Sequence, residues 1–313
     1  MQTTAENAIV GKLPGTTITL PDGTLLPLTK PLVRRSSGQY TRQRRLAVLN
    51  RWIRKGILQV VGSPWLPGFW ILSTERANHA LGALTQMRVR VKLLLTVTEE
   101  SMDESSHWVS FKADPLMIVS VRWDSFESYA QELKKKYRAR LSKAVKSNST
   151  LEVRILQSAT KEFKTAAQLL AITLTDKVVA MPENLEWLLE MYQDCFGASF
   201  KMHGFFHEDE LVGFISTVDD GKLLRAMHFG SKTSAPQEFY SFTMFHMIRL
   251  GIEGGFNKVS LGRTATEIKS TYGAVPEENY FSFYSENWFF KRLLRLAQKR
   301  YQPKHYVLRS PFK

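Results

Sequence analysis

From residue 151 onward, apolar and polar positions fall into blocks that switch between a two-residue period and a period of three to four residues. The blocks predict a strand at 151–157, helices near 161–175 and 184–196, and strands at 202–207, 211–218 and 222–230. The turns "HEDE" and "DDG" separate those last three strands. A helix over 237–253 ends at Gly254-Gly255, a pair suited to a left-handed cap. A strand at 257–262, a short helix at 265–272, a strand at 279–285 and a helix at 287–301 complete the order β, α, α, β, β, β, α, β, α, β.

The first half is less regular. "TTITLPDGTLLPL" reads as a hairpin turning at Asp22-Gly23, and "TRQRRLAVLNRWIRKGI" as a basic amphipathic helix with Leu46, Leu49, Trp52 and Ile53 on one side. Short strands are expected at 57–62, 69–72, 88–98 and 116–122, and a helix near 75–86. "SFESYAQELKKKYRARLSKAVKSN" (125–148) reads as one long helix, because Phe126, Tyr129, Leu133, Tyr137, Leu141 and Ala144 recur three or four apart. Its later turns are crowded with lysine and arginine. The pattern thus suggests an N-terminal lobe at 1–123, a basic connecting helix at 124–150 and a C-terminal lobe at 151–313.

Composition adds a core and a charge. With 313 residues, 43% of them hydrophobic, the chain can fill one large domain or two lobes. Basic residues outnumber acidic ones 43 to 29, and the resulting +14 favours an anionic partner: nucleic acid, a membrane surface or a phosphorylated small molecule. The one cysteine, Cys195, excludes an intrachain disulfide and does not suggest a metal cluster. The N-terminus shows no secretory signal pattern. The most apolar stretch, 56–72, is too short to span a bilayer and is broken by Gly62, Pro64, Pro67 and Gly68, so a cytoplasmic protein is expected.

The element order, with "YAQELKKKYRARLSKAVKS", "DELVGFIS", "AMHFGS" and "GRTATEIKSTYGAVP", resembles the BioF2-like or Fem-like branch of the GNAT acyltransferase superfamily. The terminal "RSPFK" is similar to members from the Bacteroidetes. The resemblance covers about residues 120–313 and is faint before them, where "VVGSPWLPGFW" only loosely matches an N-lobe motif. It implies an α/β fold with a GNAT-like mixed sheet flanked by helices, in two GNAT-like lobes of which the first is degenerate. It also implies an N-acyltransferase that moves an acyl group onto an amine, with aminoacyl transfer as the alternative. Acyl-CoA, acyl carrier protein or aminoacyl-tRNA would be the cosubstrate, with no tightly bound cofactor. One departure stands out. The Arg/Gln-x-x-Gly-x-Gly/Ala loop that usually grips the CoA pyrophosphate at a helix N-terminus is replaced by "SKTSAPQEFYS", leaving Lys232, Thr233 and Ser234 as the cofactor-binding candidates.

If "NKVSL" is the strand at the sheet's opening, Gly262 ends it and a short helix follows at the edge where open α/β sheets collect ligands. Arg263, Glu267 and Ser270 then share a face, at i, i+4 and i+7. Glu267 is a candidate proton acceptor, and Arg263, Thr264, Lys269 and Ser270 are candidate substrate-binding residues. The plain alternative is an Arg263–Glu267 ion pair that pins the helix. By resemblance, Tyr272 stands where many GNAT enzymes place a proton donor for the leaving group. His228 is a candidate base on the strand before the central helix, with Ala226 expected on the same face and Met227 and Phe229 on the other. His203 and His207, about 13 Å apart at ~3.3 Å per residue, are too distant to share a metal.

Two basic, aromatic segments bear on partners. Residues 287–313 hold eight basic residues and no acidic one, and residues 34–55 behave similarly. Basic helices with bulky aromatics suit an anionic headgroup layer, as expected of a peripheral protein on the inner membrane face. The acceptor would then be a lipid or cell-envelope precursor. The alternative is a non-catalytic or tRNA-dependent protein that holds nucleic acid on the basic connector helix.

Overall fold

The computed structural model describes residues 10, 15–29, 34–35, 51–63, 79–80, 82–83, 90–97, 107–174, 178–179, 184–301 and 305–313. In chain order they form β1 (Gly15–Thr19), β2 (Leu25–Thr29), β3 (Arg34–Arg35), β4 (Leu58–Val61), β5 (Val91–Val97), β6 (Trp108–Lys112) and β7 (Leu116–Ser120). Next come α1 (Phe126–Glu132), α2 (Lys135–Ser147), β8 (Glu152–Ile155), α3 (Lys161–Leu174), β9 (Val178–Val179), α4 (Leu185–Phe196), β10 (Phe200–His207), β11 (Glu210–Asp219) and β12 (Leu223–Ser231). The chain closes with α5 (Phe239–Glu253), β13 (Lys258–Ser260), α6 (Thr266–Ser270), β14 (Val275–Glu277), β15 (Tyr280–Tyr284) and α7 (Trp288–Arg300). The strand expected at 69–72, the "PWLPGFW" stretch, and most of the helices expected at 41–57 and 75–86 lie outside the described residues.

Two compact units share these elements. One holds 1–114, 175–183 and 278–304; the other holds 115–174, 184–277 and 305–313. Where the sequence pattern suggested successive segments, the chain interleaves: α1 and α2 pack in the second unit, and β15 and α7 in the first. In the first unit a six-stranded sheet runs β1-β2-β4-β5-β15-β6, antiparallel except for the β4–β5 pair. Its hairpin turns at Asp22-Gly23 as expected, with Gly23 at φ +79° and the Thr24 N–H donating to Asp22 Oδ1. Ile53, Leu58 and Val91 form a core against which Trp52, Leu93, Phe283, Phe290 and Leu294 pack.

The second unit carries a mixed seven-stranded sheet in the order β14-β7-β13-β12-β11-β10-β8. Strand β12 pairs parallel with β13; the other pairs are antiparallel. Helices α3 and α4 cover one face, where Tyr192 stacks on His228 and the Leu169–Leu170 backbone lies against Gly230. Helix α5 covers the other, where Phe205 meets Phe239, Phe242 and His246. On that side Tyr129, Leu133, Leu141, Ala144, Phe245, Met247, Ile248 and Tyr272 belong to one buried cluster.

The single helix expected over 125–148 is two helices with an extended break at Leu133 and Lys134. The C-terminal tail is the physical reason. Leu133 bridges Phe312, the Lys134 N–H donates to Pro311 O at 2.8 Å, and the Lys313 N–H donates to Glu132 O at 3.1 Å. A strand-like exchange of this kind requires extended backbone, which a continuous helix would deny it. Among the described residues no helix is long and apolar enough to cross a membrane.

Candidate functional site

The sheet of the second unit opens between β12 and β13. They pair over only three residues, Leu223–Arg225 against Lys258–Ser260, after which β12 continues to Ser231 while β13 ends. Arg225 closes the paired end: its guanidinium is buried and donates from Nε and Nη2 to Asp220 Oδ2 at 3.0 and 2.8 Å. Beyond it the chain of β13 enters a strained turn. Gly262 sits at φ +78°, Thr264 at +66° and Ala265 at +49°. Two consecutive residues with a Cβ in the left-handed region cost stability, and such outliers gather at functional sites.

Helix α6 leaves this turn. Its Glu267 is half exposed, and its ion-pair partner is not the Arg263 of the plain alternative but a residue of the tail: Arg309 donates from Nε to Glu267 Oε1 at 3.2 Å, with Nη2 at 2.5 Å. The backbone N–H of Arg309 also donates to Ser270 Oγ, whose hydroxyl donates to Glu267 O at 2.7 Å. Ser270 is buried in this exchange and Thr264 is exposed. Lys269 turns inward, its buried ammonium donating to Arg263 O at 2.6 Å and so closing the strained loop on itself. The structure therefore brings Arg263, Glu267, Lys269 and Ser270 into one small assembly, with Lys269 holding backbone and Glu267 facing Arg309.

The N-terminus of α5 is the place expected to receive a phosphate. Its N-cap is Glu238, itself at φ +60°. The carboxylate is held below the usual range, chiefly by Lys143, whose Nζ lies 3.2 Å from Oε1, against the opposing effect of its partial burial. Ser241 Oγ donates to its other oxygen at 3.1 Å. A helix N-terminus favours an anion; here the Glu238 carboxylate stands nearby without bonding the helix N–H groups, held by Lys143 and Ser241 instead. Of the three cofactor-binding candidates, Lys232 pairs with Glu210, while Thr233 and Ser234 stand exposed in a turn.

Tyr272 is fully buried, and burial raises its pKa against the opposing hydrogen bond to Ser241. Its hydroxyl donates to Ser241 Oγ at 3.0 Å, and its carbonyl accepts from Tyr129 Oη at 3.1 Å. Lys143, Glu238, Ser241 and Tyr272 thus form one hydrogen-bonded row linking α2, α5 and the end of α6. His228 is not part of it. It lies on the opposite face of the sheet, buried under α4 with Nε2 3.1 Å from Tyr192 Oη, and burial lowers its pKa to about 4.

Strict alternation along β12 fails at this point. Ile215 pairs with Phe229 and Thr217 with Ala226, so Met227 and His228 together oppose Ser216 in a β-bulge. The His228 N–H donates to Ser216 Oγ at 3.1 Å. The extra residue puts Ala226 and Phe229 against the same α5-side cluster, where simple alternation had placed them on opposite faces.

Arg309, Glu238, Ser241 and Ser216 were not singled out from sequence. Arg309 lies 42 residues from Glu267, and no local pattern signals such a pairing. Ser241 is the one with a local partner, its hydroxyl reaching the Glu238 carboxylate three residues earlier. Among the described residues no group of three or more His, Cys, Asp or Glu side chains is placed to hold a metal.

No family model and no curated protein matches the sequence. Solved structures do match in fold. L-PGS from Bacillus licheniformis superposes with a TM-score of 0.57 at 12% identity, over 95% of this chain and 96% of that one. The C-terminal domain (DUF2156) of a provisionally assigned lysylphosphatidylglycerol synthetase from Agrobacterium fabrum gives 0.58 at 11%, over 95% and 91%. FemX gives 0.50 at 10%, over 77% and 84%. At such identities the likeness is one of fold, and it extends over both units of the chain.

Proposed function

We propose that this chain is a transferase of the BioF2-like or Fem-like branch that moves an aminoacyl or acyl group onto an amine of a lipid or cell-envelope precursor. The names of the fold relatives, a synthetase of lysylphosphatidylglycerol among them, support that class of reaction. The observation that carries the reading is the opened β12–β13 edge beside a strained loop, with the Glu238 carboxylate standing near the α5 N-terminus. A CoA diphosphate would meet that carboxylate. Aminoacyl-tRNA and acyl carrier protein, which carry no such diphosphate, rank ahead of acyl-CoA on this ground, and of the two we take the ester-activated aminoacyl donor, the chemistry that the relatives' names suggest.

In the proposed step the acceptor nitrogen attacks the donor's ester carbonyl. A C–N bond forms, the donor's C–O bond breaks, and the tRNA terminal hydroxyl leaves with the proton that the amine gives up. Glu267, positioned by Arg309, is our assignment for the carboxylate that carries that proton. Arg263 and Thr264, on the strained loop that leads into α6, are our substrate-binding candidates. Tyr272 and His228 are buried supports of the two faces.

The purely nucleic-acid-binding alternative loses part of its basis. Arg140 of α2 donates to Thr271 Oγ1, Lys143 is committed to Glu238, and Arg138 donates to Leu133 O. The test supplies aminoacylated tRNA, acyl-CoA and acyl carrier protein in turn, with vesicles containing an amine-headed lipid, and reads amide-linked product by mass spectrometry. Product from one donor, lost by at least tenfold in Glu267→Gln, is expected. Product from no donor, or undiminished turnover in Glu267→Gln, would overturn the reading or the site respectively.

A further inference from the structure

Helix α7 has two apolar faces, and the first unit uses only one. Phe290 and Leu294 pack into its core, Gln298 Nε2 donates to Ser110 O at 2.8 Å, and Tyr301 Oη donates to Lys112 O. On the other side the helix presents two rows: Trp288, Arg292, Arg295 and Lys299, and beside it Phe289, Leu293, Leu296 and Arg300. Trp288 is 68% exposed, Phe289 52%, Leu293 42% and Leu296 47%. A groove of about 500 Å³ lies beside two of them, Trp288 and Leu296, and is lined also by Lys291, Arg292, Arg295 and Lys299. Single exposed apolar residues are ordinary on a protein surface, but four on consecutive turns of one helix are not.

We infer that this face of α7 docks the protein on an anionic lipid bilayer, with Trp288, Phe289, Leu293 and Leu296 entering the headgroup–acyl boundary. Charge complementarity selects the occupant. Lys291, Arg292, Arg295, Lys299 and Arg300 flank the apolar row, and residues 287–313 contain no acidic side chain. Cations beside an apolar row are the arrangement that meets lipid phosphates while the apolar residues leave water. A nucleic acid fits less well, since Leu293 and Leu296 have no π-face on which a base could stack. An acidic protein would also meet cations and aromatics, but an apolar row flanked by cations along one helix, with a tryptophan at its start, is the arrangement of a helix lying in the headgroup layer.

The inference goes beyond the transferase reading, and its test needs no donor or acceptor, so either can fail without the other. The full chain is sedimented with vesicles of phosphatidylcholine alone and of equal parts phosphatidylcholine and phosphatidylglycerol. Binding to the anionic vesicles only is expected, with a blue shift of tryptophan emission that Trp288→Ala reduces. Arg292→Gln with Arg295→Gln lowers binding about thirtyfold, equivalent to about 2 kcal/mol at about 1 kcal/mol per cation near the surface. Trp288→Ala with Phe289→Ala lowers it at least tenfold at unchanged charge. All four positions are exposed, and an unchanged melting temperature shows that the fold is retained. No anionic-vesicle binding, equal binding to both vesicle types, or variants that bind like wild type would overturn the inference. So would binding that is sensitive to the arginines but not to the aromatics, which would identify a plain phosphate or nucleic-acid site.

Discussion

Acidification tests the burial of His228 directly. Its ring is enclosed by Tyr192 under α4, and burial lowers its pKa from 6.5 to about 4. The unfolded chain therefore takes up a proton on this residue near pH 6.5, whereas the folded protein resists until about pH 4. Between those values the unfolded state binds more protons, so stability falls as pH falls, and the loss is complete only below the folded value. At about 1.36 kcal/mol per pH unit the full effect is about 3 kcal/mol, of which about 2 kcal/mol is reached by pH 5. His203 and His246, whose rings lie 5.3 Å apart with pKa values lowered to about 3 and about 4 mainly by burial, act in the same direction. Carboxylates add little above pH 5, because their unfolded values lie near 4. The assay is urea unfolding at intervals from pH 7 to pH 5, in wild type and in His228→Asn, which cannot take up a proton in this range. Whatever Asn costs at pH 7, the change between the two pH values should shrink by about 2 kcal/mol in the variant. An identical pH dependence in both proteins would mean that His228 titrates freely and is not enclosed as described.

Two further perturbations address the tail and the anion site. In Gly273→Ala the residue stays at φ +93° and its Cβ falls 2.4 Å from Phe312 Cζ, so the melt should register a loss of about 2–3 kcal/mol. Adding Phe312→Ala to both parent and variant should reduce the Gly273→Ala cost to the backbone strain, about 1–2 kcal/mol; an unchanged cost would show that the tail does not pack there. Glu238→Ala removes the carboxylate at the α5 N-terminus and should strengthen CoA binding, read by calorimetry, by about 5- to 30-fold, from about 1–2 kcal/mol of dipole and charge. Tight CoA binding in wild type, with no gain in the variant, would reject the view that Glu238 excludes the diphosphate.

Local pattern revealed most of the second unit. Strands β10, β11 and β12 and helices α3, α4 and α5 lie within a few residues of their expected places, because each shows a clear period and a turn signal at its end. The α1–α2 break escaped because its cause is remote: the apolar spacing through Leu133 is helical, and the competing bonds come from Pro311, Phe312 and Lys313. Strand β6 was missed although Trp108–Lys112 alternates, its five residues lacking an apolar run long enough to stand out. The β12 bulge depends on Ser216, twelve residues before His228, and alternation alone cannot register an inserted residue. At the site, the glycine, arginine and glutamate of α6 and its entry were visible as a charged cluster after a strand. Their partners were not, since Arg309 and Glu238 are joined to the site only by the fold.

The surplus of cations, uniform when read as a net charge, separates into two kinds once its surroundings are known. Arg138, Arg140 and Lys143 of α2, with Arg309 of the tail, point at carbonyls, a hydroxyl and carboxylates within the second unit, where they hold helix ends and the break at Leu133 in place. Neutralising them would first disturb the unit's structure. The cations of α7 instead border exposed apolar side chains, so neutralising Arg292 or Arg295 should leave the melt unchanged and alter association. A +14 chain can thus resemble a nucleic-acid-binding protein in composition while spending part of its charge internally. What distinguishes the two uses is each cation's neighbours: hydrogen-bond acceptors of the same unit in one case, and solvent-facing tryptophan, phenylalanine and leucine in the other.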